Sequence, residues 1–220
     1  MVYLTDGQET GREYFSVTVQ PDGTRTLRAQ CEMDDDRLLR DVTLTVDAGW
    51  RPIDAFIRLA VEEVTVGSTW FGFTATGAEA RGWTSERGFF EQRIATREPT
   101  AFFGTHALHC DAWVAGRLRL HDGPLDHFRF CTFACSTLAN GGSGPELIEV
   151  PDDYARVHDL GIEGVVCGAG DFEAYHVRID VPGVDHFEIW SAGEDCLPVR
   201  LSSDGLGQTY ELVEITGDYC

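Results

Sequence analysis

Short segments in which apolar and polar residues alternate constrain the fold of this chain more than any other feature. Residues 13–20 alternate, the turn at residues 21–24 (Pro-Asp-Gly-Thr) follows, and residues 25–33 and 40–47 alternate again. A period of two is that of a β-strand with one buried face. Such segments, repeated at spacings of about 8–12 residues, are typical of an antiparallel barrel or sandwich.

Further strands are predicted along both halves of the chain. They cover residues 53–62, 64–74, 78–84, 89–96, 145–150, 155–161, 172–181, 186–191, 198–202 and 209–215. Glycine-rich turns are predicted at residues 161–164 and 167–171. Between the two halves, residues 105–116 carry apolar side chains at helical spacing, with Thr105 as a candidate N-cap. Residues 121–144 are predicted to be loop-like, with a shorter helical or strand piece as an alternative at residues 128–138.

These patterns predict one mainly β domain spanning residues 1–220. We expect a strongly curved antiparallel sheet or open barrel with one central helix near residues 105–116. The β-rich segments on either side of the helix are compatible with two similar halves. A hydrophobic content of 43% and the absence of a linker composition favour a single core.

Charge excludes several classes of function. The chain has 17 basic and 37 acidic residues, a net charge of −20, and every basic residue is arginine. Such a surface repels phosphate backbones and anionic lipids, so neither nucleic acid nor membrane is an expected partner. A chain without lysine cannot form a Schiff base or use a P-loop lysine. The absence of GxSxG excludes an esterase nucleophile elbow. The absence of GxGxxG excludes a dinucleotide-binding fingerprint, and we expect no cofactor.

The location of the protein is predicted from the lack of a signal-peptide pattern and of a membrane-spanning stretch. The first residues do not show the charged and then apolar pattern of a signal peptide, and no apolar stretch approaches 18 residues. The seven cysteines include no CxxC pair. Free thiols in a reducing cytoplasm are therefore expected.

The densest group of reactive side chains falls in the predicted helix. His106, His109 and Cys110 are spaced at i, i+3 and i+4, so a helix would place them on one face, which Trp113 continues. Their spacing matches no standard zinc signature, and no metal is assigned. Imidazoles titrate near neutral pH, so His106, His109 and Asp111 are predicted to be catalytic acid/base groups, and Trp113 to contact substrate.

A second candidate set lies on the late strands. His176 is a further predicted catalytic residue, and Tyr175, Glu188 and Trp190 are predicted to contact substrate. A polar side chain on a cavity-facing side of a strand contacts ligand, whereas on the other side it is solvated surface. The sequence leaves both alternatives open.

Arg200 completes the predicted catalytic set. It follows the apolar Leu-Pro-Val run, and a buried arginine requires a carboxylate partner. Glu188, Asp195 and Glu211 are the candidates for that partner.

Aromatic side chains form clusters in the first half and in the middle of the chain. They include Trp50, Trp70, Phe71, Phe73, Trp83, Phe89 and Phe90. Most are expected to form the core, but rings on a curved sheet can also line a pocket for a flat or greasy ligand.

The late strands also carry a family resemblance. Residues 169–175 (AGDFEAY), 188–190 (EIW), 197–200 (LPVR) and 210–212 (YEL) resemble an uncharacterised bacterial β-rich family. That resemblance implies an open, curved antiparallel barrel like that of the periplasmic lipoprotein carriers, with a concave apolar cavity. It implies no reaction. Such relatives are often exported, whereas this sequence shows no signal pattern.

Two functions fit these observations. The first is a cofactor-independent lyase, isomerase or hydratase that uses histidine acid/base catalysis on a small hydrophobic or aromatic compound in the barrel cavity. The alternative is a non-catalytic carrier or sensor of a small hydrophobic ligand. Exposed apolar strand edges favour a homodimer in either case.

Overall fold

The computed structural model describes residues 1–120, 132–136, 145–150, 156–180 and 186–217. These residues form sixteen β-strands and one α-helix, with a short 3-10 turn before the last strand. The first eight strands are β1 Val2–Thr5, β2 Gln8–Val19, β3 Arg25–Met33, β4 Leu38–Val46, β5 Pro52–Val61, β6 Val64–Thr74, β7 Gly77–Thr84 and β8 Gly88–Ala95. The remaining elements are β9 Phe102–Gly104, α1 Leu108–Arg119, β10 Thr132–Cys135, β11 Leu147–Val150, β12 Arg156–Cys167, β13 Gly170–Asp180, β14 His186–Ala192, β15 Leu197–Ser203 and β16 Gln208–Glu211.

Thirteen of the strands form one large, curved antiparallel sheet, which confirms the predicted mainly β fold. Their order is β12-β13-β14-β15-β16-β1-β2-β3-β4-β5-β6-β7-β8. The two β-rich parts of the chain join where β1 pairs with β16. The sheet is not closed, so β8 and β12 are its two edge strands within the described residues.

Helix α1 and a small second sheet cover the inner face of the large sheet. Strand β10 pairs with β9 in parallel and with β11 antiparallel. From this small sheet, Phe103 packs against Phe71 of β6 with ring centroids 4.8 Å apart, and Phe133 is fully buried in the same core. The inner face is therefore largely occupied by the chain's own side chains.

Helix α1 begins at Leu108, three residues later than predicted. His106 has a φ of +60°, in the left-handed region that ends or prevents an α-helix, and Ala107 precedes the helix without a side-chain cap. Thr105 is thus not the N-cap, although its hydroxyl accepts a hydrogen bond from the Ala107 amide at 3.4 Å. The helix continues to Arg119, past the predicted end at Gly116.

The turn predicted at residues 161–164 is wrong, because β12 runs unbroken through them. A β-bulge lies between Asp159 and Gly161, and Gly161 adopts a φ of +89° that glycine tolerates. A bulge bends a strand without ending it. Beyond it, the end of the β12–β13 hairpin crosses β15 and β16, where the Ala169 amide donates to the Leu212 carbonyl at 3.1 Å.

The loop predicted at residues 121–144 lies outside the described residues except for 132–136. Within those, β10 forms a strand, which agrees with the strand alternative for residues 128–138.

Close contact with Trp50, in the turn between β4 and β5, fixes the position of α1. A Cβ atom added to Gly116 would lie 2.3 Å from Cε2 of Trp50, a distance that real Cβ contacts essentially never show. Trp50 also packs edge-on against Trp113 with centroids 5.7 Å apart. The helix can approach this tryptophan because residue 116 has no side chain.

Replacing Gly116 by alanine should therefore destabilise the protein. In an exposed helix, Gly→Ala gains up to about 1 kcal/mol, whereas here overpacking should give a net loss of about 1–3 kcal/mol. Urea unfolding followed by tryptophan fluorescence measures the change. Gly164→Ala is the matched control, since a Cβ there would meet nothing within 4 Å, and it should cause no loss.

Candidate functional site

His109 lies in the hydrophobic core rather than in a solvent-filled cavity. Its side chain is 0% exposed, and its ring packs 4.5 Å from Phe15 and 5.3 Å from Trp113, centroid to centroid. Neither ring nitrogen has a hydrogen-bond partner among the described residues. Burial lowers the pKa of His109 to about 3, so the imidazole is neutral at physiological pH.

His106 connects the helix start to two strands. Its Nε2 is 2.8 Å from the Cys135 carbonyl oxygen, and its own carbonyl accepts a hydrogen bond of 2.7 Å from Arg40. Burial, with the nearby Arg40 charge, lowers the pKa of His106 to about 4. These contacts give His106 a role in fixing the backbone before α1.

The shared helical face predicted for His106, His109 and Cys110 is wrong. His106 precedes the helix, so the i, i+3 relation does not apply to it. The Cys110 thiol donates to the Phe103 carbonyl at 3.0 Å instead of joining the imidazoles. In the described parts of the chain, no group of three histidine, cysteine or acidic side chains could hold a metal ion.

Glu13 of β2 caps the helix from a strand 95 residues away in sequence. Its carboxylate accepts hydrogen bonds from the amides of Leu108 at 2.8 Å and His109 at 3.3 Å. Tyr3 and Cys31 donate to the same carboxylate at 3.1 and 3.4 Å. Burial raises the pKa of Glu13, and the four donated hydrogen bonds oppose that shift. Glu13 thus replaces the N-cap that the helix lacks.

Sequence reasoning missed Glu13, although a signal was present. The residue has the same parity as Phe15 and Val17, so it lies on the apolar face of an alternating strand. A carboxylate on such a face needs several donors, which an uncapped helix N-terminus provides.

Asp111 lies close to this capping carboxylate on the first turn of α1. Burial and then the Glu13 charge raise the pKa of Asp111 to about 7, against the opposing Arg40 charge. Burial and the Asp111 charge together raise the pKa of Tyr210 to about 12. Of the residues predicted from the helix, Asp111 is the one that titrates near neutral pH.

The second predicted set converges on β13 and β14. The His176 ring stacks on Trp190 with centroids 4.2 Å apart, and its Nδ1 is 2.9 Å from Glu163. The Trp190 indole also donates to Glu163, a residue that sequence reasoning did not select. The His176 Nε2 faces Glu188 at 3.7 Å, beyond hydrogen-bond distance, and is buried.

Arg200 pairs with Glu211, one of its three predicted partners, at 2.8 Å. It also donates to the Val166 carbonyl at 2.9 Å, which links the end of β12 to β15.

Tyr175 is not part of the group formed by His176 and Trp190, because it lies on the opposite, inner face of β13. There it contacts Arg119, whose guanidinium carbon is 4.9 Å from the Tyr175 ring centroid.

A groove lined by aromatic rings crosses the outer face of β5–β8. Strand register forms it from two rows of side chains. The first row holds Phe56, Trp70, Arg81 and Glu91, and the second holds Ser68, Trp83 and Phe89. The groove is open to solvent and has a volume of about 530 Å³. Its volume lies in the range of small-molecule sites.

Three of the aromatic rings of the groove are exposed to solvent. Phe56 and Trp70 are each 38% exposed, and Phe89 is 91% exposed. The Trp70 ring lies flat over Gly72, where an added Cβ would approach to 2.4 Å from Cη2. The Arg81 guanidinium lies 3.5 Å from Glu91, so the polar side chains of the groove neutralise each other. We refer to this feature, lined by Phe56, Ser68, Trp70, Arg81, Gly82, Trp83, Phe89, Phe90 and Glu91, as the aromatic groove.

Comparison with known proteins supports the fold. No protein-family model and no curated protein matches this chain. A DUF1089 family protein from Pseudomonas aeruginosa is 12% identical, with 88% of this chain and 90% of that chain covered and a TM-score of 0.49. A beta-barrel-like protein of the domain of unknown function DUF1849 from Brucella abortus is 10% identical, with 90% and 83% covered and a TM-score of 0.51.

The Brucella abortus neighbour supports the predicted resemblance to uncharacterised β-rich proteins at the level of fold alone. As to membranes, the helix within the described ranges is too short to cross a bilayer.

The buried imidazole of His109 should make stability depend on pH. In the unfolded chain this group titrates near pH 6.5, whereas in the folded protein its pKa is about 3. Below pH 6.5 the unfolded state therefore binds the extra proton, and the free energy of unfolding falls as the pH falls. Relative to His109→Leu, the natural protein should lose about 1.4 kcal/mol per pH unit between pH 6 and 4. Chemical unfolding at each pH measures the free energy of unfolding of both proteins. The same dependence on pH in the natural protein and in His109→Leu would contradict this.

Substitution of Glu13 should weaken the helix start and change the acidity of Asp111. Glu13→Gln keeps the side-chain shape but removes the charge and one acceptor, so we expect a loss of about 1–3 kcal/mol in chemical unfolding. Because the Glu13 charge raises the pKa of Asp111, that pKa should fall in the variant. Carbon-13 NMR titration of the Asp111 carboxyl measures it, and an unchanged value would show that the two groups do not interact.

Proposed function

We propose that this protein binds a small hydrophobic or aromatic molecule as a non-catalytic carrier or sensor, and that the aromatic groove is its binding site. The observation that carries the proposal is the set of exposed rings, Phe56, Trp70 and Phe89, around a space of about 530 Å³. Exposed aromatic side chains lose water when a flat apolar molecule stacks on them, so each ring favours binding.

The neutral balance of the groove restricts the ligand to uncharged or weakly charged molecules. Arg81 is paired with Glu91 and lies 3.4 Å from Glu79, so it offers no unpaired positive charge to an anion. Its guanidinium and the Ser68 hydroxyl supply hydrogen bonds at the edge of the rings. The expected ligand is thus flat, largely apolar and neutral, with a small number of polar groups.

The proposed ligand site lies on the outer face of the large sheet. The inner face carries Phe71, Phe103, Phe133 and Trp113, which pack against one another or against neighbouring core residues. The proposed site therefore differs from the concave apolar cavity that the resemblance to the lipoprotein carriers implies. We also propose a cytoplasmic location, supported by the five described cysteines, all of which carry free thiols.

Acid/base catalysis by a lyase, isomerase or hydratase is the second candidate function. The observation that favours it is the His176 imidazole, held between the Glu163 and Glu188 carboxylates and stacked on Trp190. A carboxylate on Nδ1 orients an imidazole so that Nε2 can exchange a proton. We rank this function second because the Nε2 atom is buried.

Binding of N-phenyl-1-naphthylamine, a flat neutral fluorophore, tests the carrier proposal. The probe should bind with energy transfer from tryptophan, and Trp70→Ala should raise its Kd about tenfold, since a lost aromatic contact costs about 1.5 kcal/mol. Gly72→Ala should also weaken binding, because the new methyl group displaces the flat Trp70 ring while keeping every aromatic residue.

Tyr14→Ala is the matched control, since Tyr14 is a 59% exposed aromatic residue on β2, outside the groove. It should leave the Kd of the probe unchanged. Equal effects of Tyr14→Ala and Trp70→Ala, or probe binding that survives the Trp70→Ala/Trp83→Ala double variant, would overturn the assignment.

A further inference from the structure

Strand β8 is a straight, unpaired edge of the large sheet. Among the described strands it pairs only with β7, and that pairing runs without a bulge from Gly77↔Ala95 to Thr84↔Gly88. An edge strand presents free backbone donors and acceptors to any strand that can lie beside it. The opposite edge, β12, is bent by the bulge at Gly161, which disfavours such pairing.

Charges alternate along the outer face of β7 and β8. Glu79 lies opposite Arg93, and Arg81 lies opposite Glu91. The corresponding ion pairs measure 3.6 and 3.5 Å. On β8 itself, Glu91 and Arg93 are separated by one residue, Gln92, whose side chain points to the inner face and bonds the Leu147 backbone.

We propose that β8 pairs with β8 of a second copy of this chain, around a two-fold axis at Gln92, to form a homodimer with one continuous sheet. Antiparallel pairing about this axis places Glu91 opposite Arg93 of the second copy, twice. The charge row across the interface then reads Glu79, Arg93, Glu91 and Arg81, with alternating sign from β7 of one copy to β7 of the other. Opposite charges in facing positions of an antiparallel pair stabilise it.

Neighbouring registers are excluded by the same charges. An axis at Glu91 would place this carboxylate against its own copy, and an axis at Arg93 would do the same with two guanidinium groups. A shift by a single residue would place outer side chains opposite inner ones. With the axis at Gln92, by contrast, Phe89 lies opposite Ala95 of the second copy. Phe89 is 91% exposed in the single chain, and this pairing buries part of its apolar surface.

Sedimentation equilibrium of the natural protein and of two charge-reversal variants tests this pairing. The natural protein should be a dimer, and Glu91→Arg and Arg93→Glu should each raise the dimer dissociation constant about tenfold or more. Each single variant sets like charges opposite each other in its own homodimer. An equimolar mixture of the two should form a heterodimer with restored affinity, since both pairs that face each other across the interface are then opposite in charge.

The double variant Glu91→Arg/Arg93→Glu should also restore the dimer. Arg28→Glu is the matched control for net charge, because Arg28 lies exposed on β3, away from the edge, and should leave the dissociation constant unchanged. Unchanged circular dichroism would show that the variants fold. A natural protein that is monomeric at about 100 μM, or single variants that remain monomeric when mixed, would overturn the proposal.

Discussion

The buried carboxylate of Glu13 is the interaction on which the arrangement of helix and sheet depends. It accepts the first amides of α1 from strand β2, while Arg40 two strands away donates to the carbonyl of His106. Glu13, Cys31 and Arg40 face one another in register across β2, β3 and β4. On one row of the sheet, Glu13 thus accepts from the first amides of the helix and Arg40 donates to the carbonyl that precedes it. Because these contacts satisfy the backbone at the helix start, α1 can begin without a local cap.

The position of α1 decides what the inner face can do. Once the helix start is fixed, Gly116 lies against Trp50 and His109 is enclosed by Phe15 and Trp113. These contacts fill space that a curved sheet would otherwise leave for a ligand. The exposed aromatic surface instead occurs on the outer face, where strands β5–β8 carry rings in adjacent positions.

Much of the fold could be predicted from the sequence, because alternation is a local signal. Strands β2–β8 lie close to the predicted segments, and one helix occurs between the two β-rich parts. The errors arose where tertiary contacts override local preference. Thr105 is a good N-cap residue, yet the left-handed His106 and the distant Glu13 move the helix start to Leu108. Gly161 indicates a turn, but between two paired strands it forms a bulge.

For the candidate sites, too, local sequence patterns and tertiary contacts determined different properties. From the sequence alone, this chain was determined to be acidic, free of lysine and built of alternating strands, since composition and periodicity are properties of single residues and their neighbours. Only the tertiary structure decided that His109 is sealed in the core, that His176 meets Glu163, and that Phe56, Trp70 and Trp83 line one groove. The burial of His109 depends on how α1 packs against the sheet, and the other two depend on strand register, which is set by pairing between residues that no local pattern relates.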